Sequence, residues 1–162
     1  MKKYSVLFIC TGNICRSPTF EGVFKYLLSE NKISRNFFID SAGTRSYHIG
    51  ETADIRSINY AGERGYDLSE IRSRQVCNKD FSEFDLLLAL DRSHYDELIS
   101  ISPRKYTSKI KLILSYINYE SLHDVPDPYY GKKEDFERVL DLAEECCDRL
   151  LKKLIKKVES SK

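Results

Sequence analysis

A cysteine and an arginine six positions apart close an apolar run in "VLFICTGNICRSPTF", residues 6–20. Between them lie a glycine, an asparagine and a second cysteine. A thiolate is a strong nucleophile. A guanidinium is a planar fork that grips two oxygens of a tetrahedral anion at once. Ser17 followed by Pro18 reads as a helix start, a capping hydroxyl and then a proline at the first helical position. The first N–H groups of a helix lack intrahelical partners and, with the dipole, favour an anion. Gly12 frees the backbone of side-chain restriction, and Asn13 tolerates left-handed φ/ψ. A loop of this composition can curl its N–H groups inward into an anion nest. Cys10 would lie at its bottom, its thiolate favoured by the helix end and by Arg16. That arrangement suits moving a phosphoryl group onto sulfur. Lysine at position 16 would give a point charge without the fork.

Such a loop needs a strand to deliver it and a helix to receive it. "YSVLFIC" (4–10) reads as a buried strand, and apolar residues from Pro18 to Ser29 follow helical spacing. "NFFIDS" (36–41) predicts a second strand, "AGTRSYHIGE" (42–51) a loop, and 53–65 a helix closing near Gly65. "FDLLLALD" (84–91) predicts a third strand, followed by a short helix to about Ile101, and "KIKLILSYI" (109–117) a fourth strand. A loop over 118–133 leads to a final helix whose apolar stripe runs from Phe136 to Val158. Strand–helix alternation implies right-handed βαβ units. The expected fold is therefore α/β: one domain over 1–162, with a four-stranded parallel twisted sheet, helices on both faces and a phosphate-binding loop after the first strand. Ligands of such sheets bind beyond the carboxyl ends of the strands. Cys10, Ser41, Asp91 and the loop after the fourth strand all fall there.

Bulk properties remove several other classes. Charged residues make up 31% and hydrophobic ones 41% of 162 residues, a globular composition. The balance of 26 basic and 25 acidic residues gives no nucleic-acid footprint, and Lys152, Lys153, Lys156 and Lys157 read as a solvated helix face. The N-terminal apolar run, Val6 to Ile9, is too short for a secretory leader, and no stretch approaches a membrane span, so a cytoplasmic protein without a membrane partner is expected. Five cysteines without framework spacing argue against a disulfide scaffold. The Cys10/Cys15 spacing is not CxxC, and His48, His94 and His123 stand alone, so no metal or other cofactor is expected.

"CTGNICRSP" at the first strand–helix junction strongly resembles the low-molecular-weight protein tyrosine phosphatases. The resemblance extends to "DSAGT" (40–44), "SRQV" (73–76), "FD" before the third strand and "DPYYG" (127–131). It implies Cys10 as a nucleophile that forms a phosphocysteine, Arg16 as the holder of the phosphoryl oxygens, and Asp127 as general acid and then base. The residues alone do not choose Asp127 over Asp124, although Pro126 and Pro128 stiffen the chain on either side of Asp127. The resemblance further implies substrate binding by Thr11, Gly12, Asn13, Ile14, Cys15 and Ser17, with Asn13, Ser17 and Ser41 bonding to one another to shape the loop. Tyr47, Tyr129 and Tyr130 would form an aromatic rim around a phosphotyrosine ring, and Tyr129 and Tyr130 are positions the family can itself carry phosphorylated. Cys15 would form a disulfide with an oxidised Cys10 and spare it from irreversible oxidation. The implied partners are tyrosine-phosphorylated proteins and oxyanion inhibitors such as phosphate and vanadate, acting on a monomer.

Two positions depart from the family pattern. Ile71 stands where many members carry a histidine that supports the loop asparagine, which predicts a looser Asn13. Thr11 replaces a bulky aliphatic residue; in the related arginine phosphatases a threonine here helps select phosphoarginine. The tyrosine pair 129–130 favours phosphotyrosine against that alternative. An arsenate reductase would need further redox cysteines after the third strand, and residues 78–145 have none. A phosphopeptide-binding module without catalysis would be expected to lack Cys10, Arg16 or Asp127, and all three are present.

Overall fold

The structure, a computed structural model, describes residues 2–117 and 122–160. Four parallel strands form one sheet in the order β2-β1-β3-β4. They are β1 (Tyr4–Cys10), β2 (Phe37–Gly43), β3 (Leu86–Ala89) and β4 (Ile110–Leu112). Among the described residues, five α-helices connect or cover them: α1 (Arg16–Glu30), α2 (Ile55–Glu63), α3 (Asn78–Glu83), α4 (Arg92–Ile101) and α5 (Lys133–Ser160). The α/β fold with a parallel four-stranded sheet is as the alternation predicted.

β1 is central, and Val6 to Ile9 are wholly buried. A strand covered on both faces must be apolar at every position, which is why "VLFI" shows no alternation. Val6, Phe8 and Cys10 face a core shared with Phe20, Val23 and Phe24 of α1 and with Leu140, Ala143, Cys147 and Leu150 of α5. Leu7 and Ile9 face the other way, against Phe81 of α3, Phe84 and Leu98 of α4. Helices therefore cover both faces. Phe8 meets Phe20 and Phe24 at centroid separations of 5.9 Å, within the range where aromatic pairs add to area burial. This packing fixes the carboxyl end of β1 and the start of α1 relative to each other.

Four expectations are corrected. β4 covers 110–112 only; the chain then turns through a 3₁₀ segment at Ile113–Tyr116 that buries Ile113 and Leu114. A short apolar run reads alike as buried strand or buried turn. α3 was not expected, because six residues are too few to show a helical period. β2 runs on through Ala42 and Gly43, where a loop was expected. Helix α1 begins at Arg16 with Cys15 as its cap, so Ser17 is not a capping residue and Pro18 sits third in the helix. Proline is tolerated there because first-turn N–H groups have no intrahelical partner.

Gly43 shows how closely β2 approaches the loop after β1. A Cβ built on it would lie 2.5 Å from the Thr11 carbonyl oxygen and 3.2 Å from the Asn13 nitrogen, both backbone atoms. Gly43 also bonds through its N–H to Arg74 and through its carbonyl to Val76. Nothing at this point can swing aside. Gly43→Ala is expected to lower the urea midpoint by the equivalent of about 1–3 kcal/mol, the usual cost of overpacking. An unchanged midpoint would show that the loop can retreat.

Candidate active site

The loop between β1 and α1 is shaped by what its carbonyls do. The Cys10 and Thr11 carbonyls accept from the N–H groups of Thr44 and Arg45. The Gly12 carbonyl accepts from the Ser73 hydroxyl at 2.8 Å, and the Ile14 carbonyl from the Asp54 N–H. Among the described residues there is no cis peptide, and in a trans peptide the N–H points opposite to the carbonyl. With the carbonyls of residues 10, 11, 12 and 14 tied to outside partners, the N–H groups of Thr11, Gly12, Asn13 and Cys15 turn the other way. These amides and the first turn of α1 line a concavity toward which their N–H groups point, the geometry that favours an anion.

Asn13 makes the reversal possible. It adopts φ 58°, tolerable for asparagine and strained for most other side chains. Its amide nitrogen donates to Ser17 Oγ at 2.8 Å and Ser41 Oγ at 2.9 Å, and its oxygen accepts from the Arg74 N–H at 3.0 Å. Arg74 is itself pinned between Asp40 and Asp80. The looser Asn13 expected from Ile71 is not observed: every arm of the amide is bonded, and Ile71 packs in the main core instead. The Ser41 hydroxyl donates a hydrogen bond to buried Glu21 at 2.5 Å, and Glu21 is paired with Lys25. Burial pushes the Glu21 carboxyl upward, against the opposing pull of Lys25. Ser17 accepts from Asn13, so its own proton is free for Cys10 Sγ, 3.0 Å away.

A cavity of about 420 Å³ opens over this loop. Its lining contains Cys10, Thr11, Gly12, Ile14, Cys15, Arg16, Tyr47, Asp127, Tyr129 and Tyr130, all predicted site residues, and adds His48. Asn13, Ser17 and Ser41 are not in the lining; they are at most 1% exposed and act from behind the loop. His48 had no sequence signal beyond its loop; it touches the position of Gly12 and pairs with Glu51.

Arg16 is 5% exposed. Its Nη1 donates to Asp91 Oδ2 at 2.8 Å and to the Val125 carbonyl at 3.0 Å, and its Nη2 donates to Thr11 Oγ1 at 3.3 Å. Burial alone would raise the Asp91 carboxyl, but bonds from Ser93, the His94 N–H and Arg16 outweigh it and hold the group below the usual range. The geometry also separates the two aspartates that the sequence left open. Asp124 caps Arg92 through its N–H and guanidinium and is absent from the cavity lining. Asp127 lines the cavity, half-exposed, with Oδ2 3.7 Å from Arg16 Nη2. Tyr129 and Tyr130 stack edge to face at 4.8 Å, and Arg56 anchors the Tyr129 carbonyl at 3.0 Å. Cys15 is buried, and burial together with the Asp54 charge pushes its thiol up to about 12.

The family model for low molecular weight phosphotyrosine protein phosphatase matches residues 5–160. This chain belongs to that family. The human low molecular weight phosphotyrosine protein phosphatase is 40% identical over 151 residues, covering 92% of this chain and 94% of the relative. A crystal structure of the Entamoeba histolytica protein tyrosine phosphatase, with Hepes in its active site, superposes with a TM-score of 0.91 at 39% identity, covering 96% of this chain and 99% of that one. Vibrio vulnificus Wzb, solved in complex with benzylphosphonate, gives a TM-score of 0.80 at 32% identity, covering 94% of this chain and 99% of that one. No helix among the described residues of this phosphatase is long and apolar enough to cross a membrane.

His94, unassigned by the sequence reading, sits 2% exposed behind Arg16, and burial, aided by the Arg16 charge, pulls its pKa from 6.5 down to about 4. The folded phosphatase thus binds fewer protons here than the unfolded chain between these values. Its stability is full above pH 6.5 and falls as pH drops toward 4. The contribution lost is up to about 3 kcal/mol. In urea titrations at several pH values, wild type is expected to lose stability relative to His94→Asn across this window. Parallel curves would contradict it.

Proposed function

We propose that this chain hydrolyses phosphotyrosine in proteins through a phosphocysteine intermediate. The observation that carries the reading is the convergence of Cys10, Arg16 and Asp127 on one cavity at the start of α1. The phosphoryl group is held by the inward N–H groups and by the Arg16 fork. The Cys10 thiolate attacks phosphorus in line, and Asp127, protonated, gives its proton to the leaving phenolate oxygen. A water then attacks the phosphocysteine while Asp127 takes back a proton, and inorganic phosphate leaves with the thiolate restored. The Ser17 hydroxyl stabilises that thiolate in both resting and product states.

Tyr47, Tyr129 and Tyr130 rim the mouth, and a deep slot with an aromatic mouth suits an aryl phosphate. The benzylphosphonate bound by the Vibrio relative, an aromatic ring one methylene away from phosphorus, supports a phosphorylated aromatic substrate. Thr11 keeps phosphoarginine as the alternative, but its hydroxyl is engaged by Arg16 and His94. Phosphate and vanadate would compete for the same anion nest. The proposed setting is a cytoplasmic monomer acting on tyrosine-phosphorylated proteins. Cys15, a protonated thiol beside the nucleophile's loop, would condense with a peroxide-formed Cys10 sulfenic acid, releasing water and leaving a reducible disulfide.

Steady-state rates on phosphotyrosine and phosphoarginine peptides test this. Phosphotyrosine should be preferred by wild type and by Thr11→Leu alike, Cys10→Ser should be inactive, and Asp127→Ala should lose roughly 10²–10⁴ in kcat. After peroxide, dithiothreitol should restore wild type and not Cys15→Ala. Preference for phosphoarginine, lost in Thr11→Leu, would overturn the substrate assignment.

A further inference from the structure

The guanidinium of Arg16 is fastened unevenly. Both firm bonds, to Asp91 and Val125, fall on Nη1. A planar fork held at one nitrogen can still swing about it, and the hydrogen bond that fixes Nη2 goes to Thr11 Oγ1. A guanidinium only donates, so the Thr11 oxygen must turn a lone pair toward it. That leaves the hydroxyl proton to be directed elsewhere. His94 Nε2 lies 2.8 Å from the same oxygen.

The protons of this group can be assigned. If Thr11 donates to His94 Nε2, the neutral ring carries its proton on Nδ1. Nδ1 is buried without a hydrogen bond of good geometry, but it faces Asp91 Oδ1 at 3.2 Å. A proton there is attracted by the carboxylate. The other tautomer would set a bare nitrogen lone pair against that oxygen and make Thr11 accept twice. The result is a closed circuit, Asp91 to Arg16 to Thr11 to His94 and back to Asp91. Asp91 also caps α4 through the His94 N–H, so the imidazole and the carboxylate are set by one helix start.

We propose that His94 is a positioning residue for Arg16, acting through the Thr11 hydroxyl to fix the plane in which the guanidinium meets the phosphoryl group. The proposal rests on the reading above that Arg16 holds that group in the transition state. It follows that loss of His94 lowers kcat and kcat/KM together and leaves KM nearly unchanged, because the fork matters most where charge develops. It follows also that His94 and Thr11 act as one unit, so their losses must not multiply.

The experiment is a double-mutant cycle on phosphotyrosine peptide with His94→Leu, Thr11→Val and the pair, each checked by urea unfolding, with His94→Gln and Arg16→Ala alongside. Each single change should lower kcat about tenfold, the scale of one oriented hydrogen bond. The pair should be no worse than the poorer single, and His94→Gln, which can still accept from Thr11, should recover most of the loss. Multiplying losses, or full activity in folded His94→Leu, would overturn the proposal while leaving the mechanism intact. Full activity in Arg16→Ala would remove the mechanism and the proposal together. Imidazole ¹⁵N shifts of wild type read the tautomer without any variant folding or substrate turning over: Nδ1–H supports the circuit, and Nε2–H overturns it.

Discussion

Four peptides between Cys10 and Cys15 have to turn their N–H groups inward, and the phosphatase is built around holding them so. Carbonyls at Cys10, Thr11, Gly12 and Ile14 find donors on three other parts of the chain: residues 44 and 45 after β2, Ser73, and Asp54 at the start of α2. The left-handed turn at Asn13 has its own set of partners in Ser17, Ser41 and Arg74. A turned-in N–H without a protein acceptor is costly when buried. Here the turned-in amides face an open cavity, where an anion or water can serve them. The cost of the conformation is thus spread over bonds outside the site, and the inward N–H groups are left available for an anion.

The same logic governs the charged groups. Arg16 is almost fully buried, and a buried cation needs a paired anion and satisfied N–H groups. Asp91, Val125 and Thr11 meet that need without occupying the face toward Cys10 and Asp127. The Asn13 amide donates in two directions: through Ser41 toward the Glu21 carboxylate, which Lys25 also meets, and to Ser17, whose hydroxyl proton is thereby left for the Cys10 sulfur. Both networks therefore fix proton positions as well as atom positions, which a mobile loop could not do.

Cys10, Arg16 and the strand–loop–helix that presents them were legible because they are close in sequence and their chemistry needs that order. The apolar continuity of "VLFI" gave a buried parallel strand for the same local reason. Ser17 was recognised but misplaced: helix α1 starts at Arg16, so the hydroxyl serves sulfur and asparagine rather than the helix end. Asp127 could not be told from Asp124 in the sequence, since the difference is that Asp124 pairs with Arg92, thirty-two residues away. Thr11 and His94 are eighty-three residues apart, and no spacing rule announces such a bond. Ser73 and Arg74 lay within a recognised stretch, yet their service to Gly12 and Asn13 depends on β2 bringing residues 40–43 alongside. Local chemistry is readable; partners supplied by topology are not.

The claim on which the rest turns is that the phosphoryl group passes through the sulfur of Cys10. Rapid acid quench of Asp127→Ala with ³²P-labelled phosphotyrosine peptide, followed by peptide mapping, tests it directly. The account predicts transient label on the peptide containing Cys10, absent in Cys10→Ser. Product formation without any protein-bound label, or label on another residue, would contradict it.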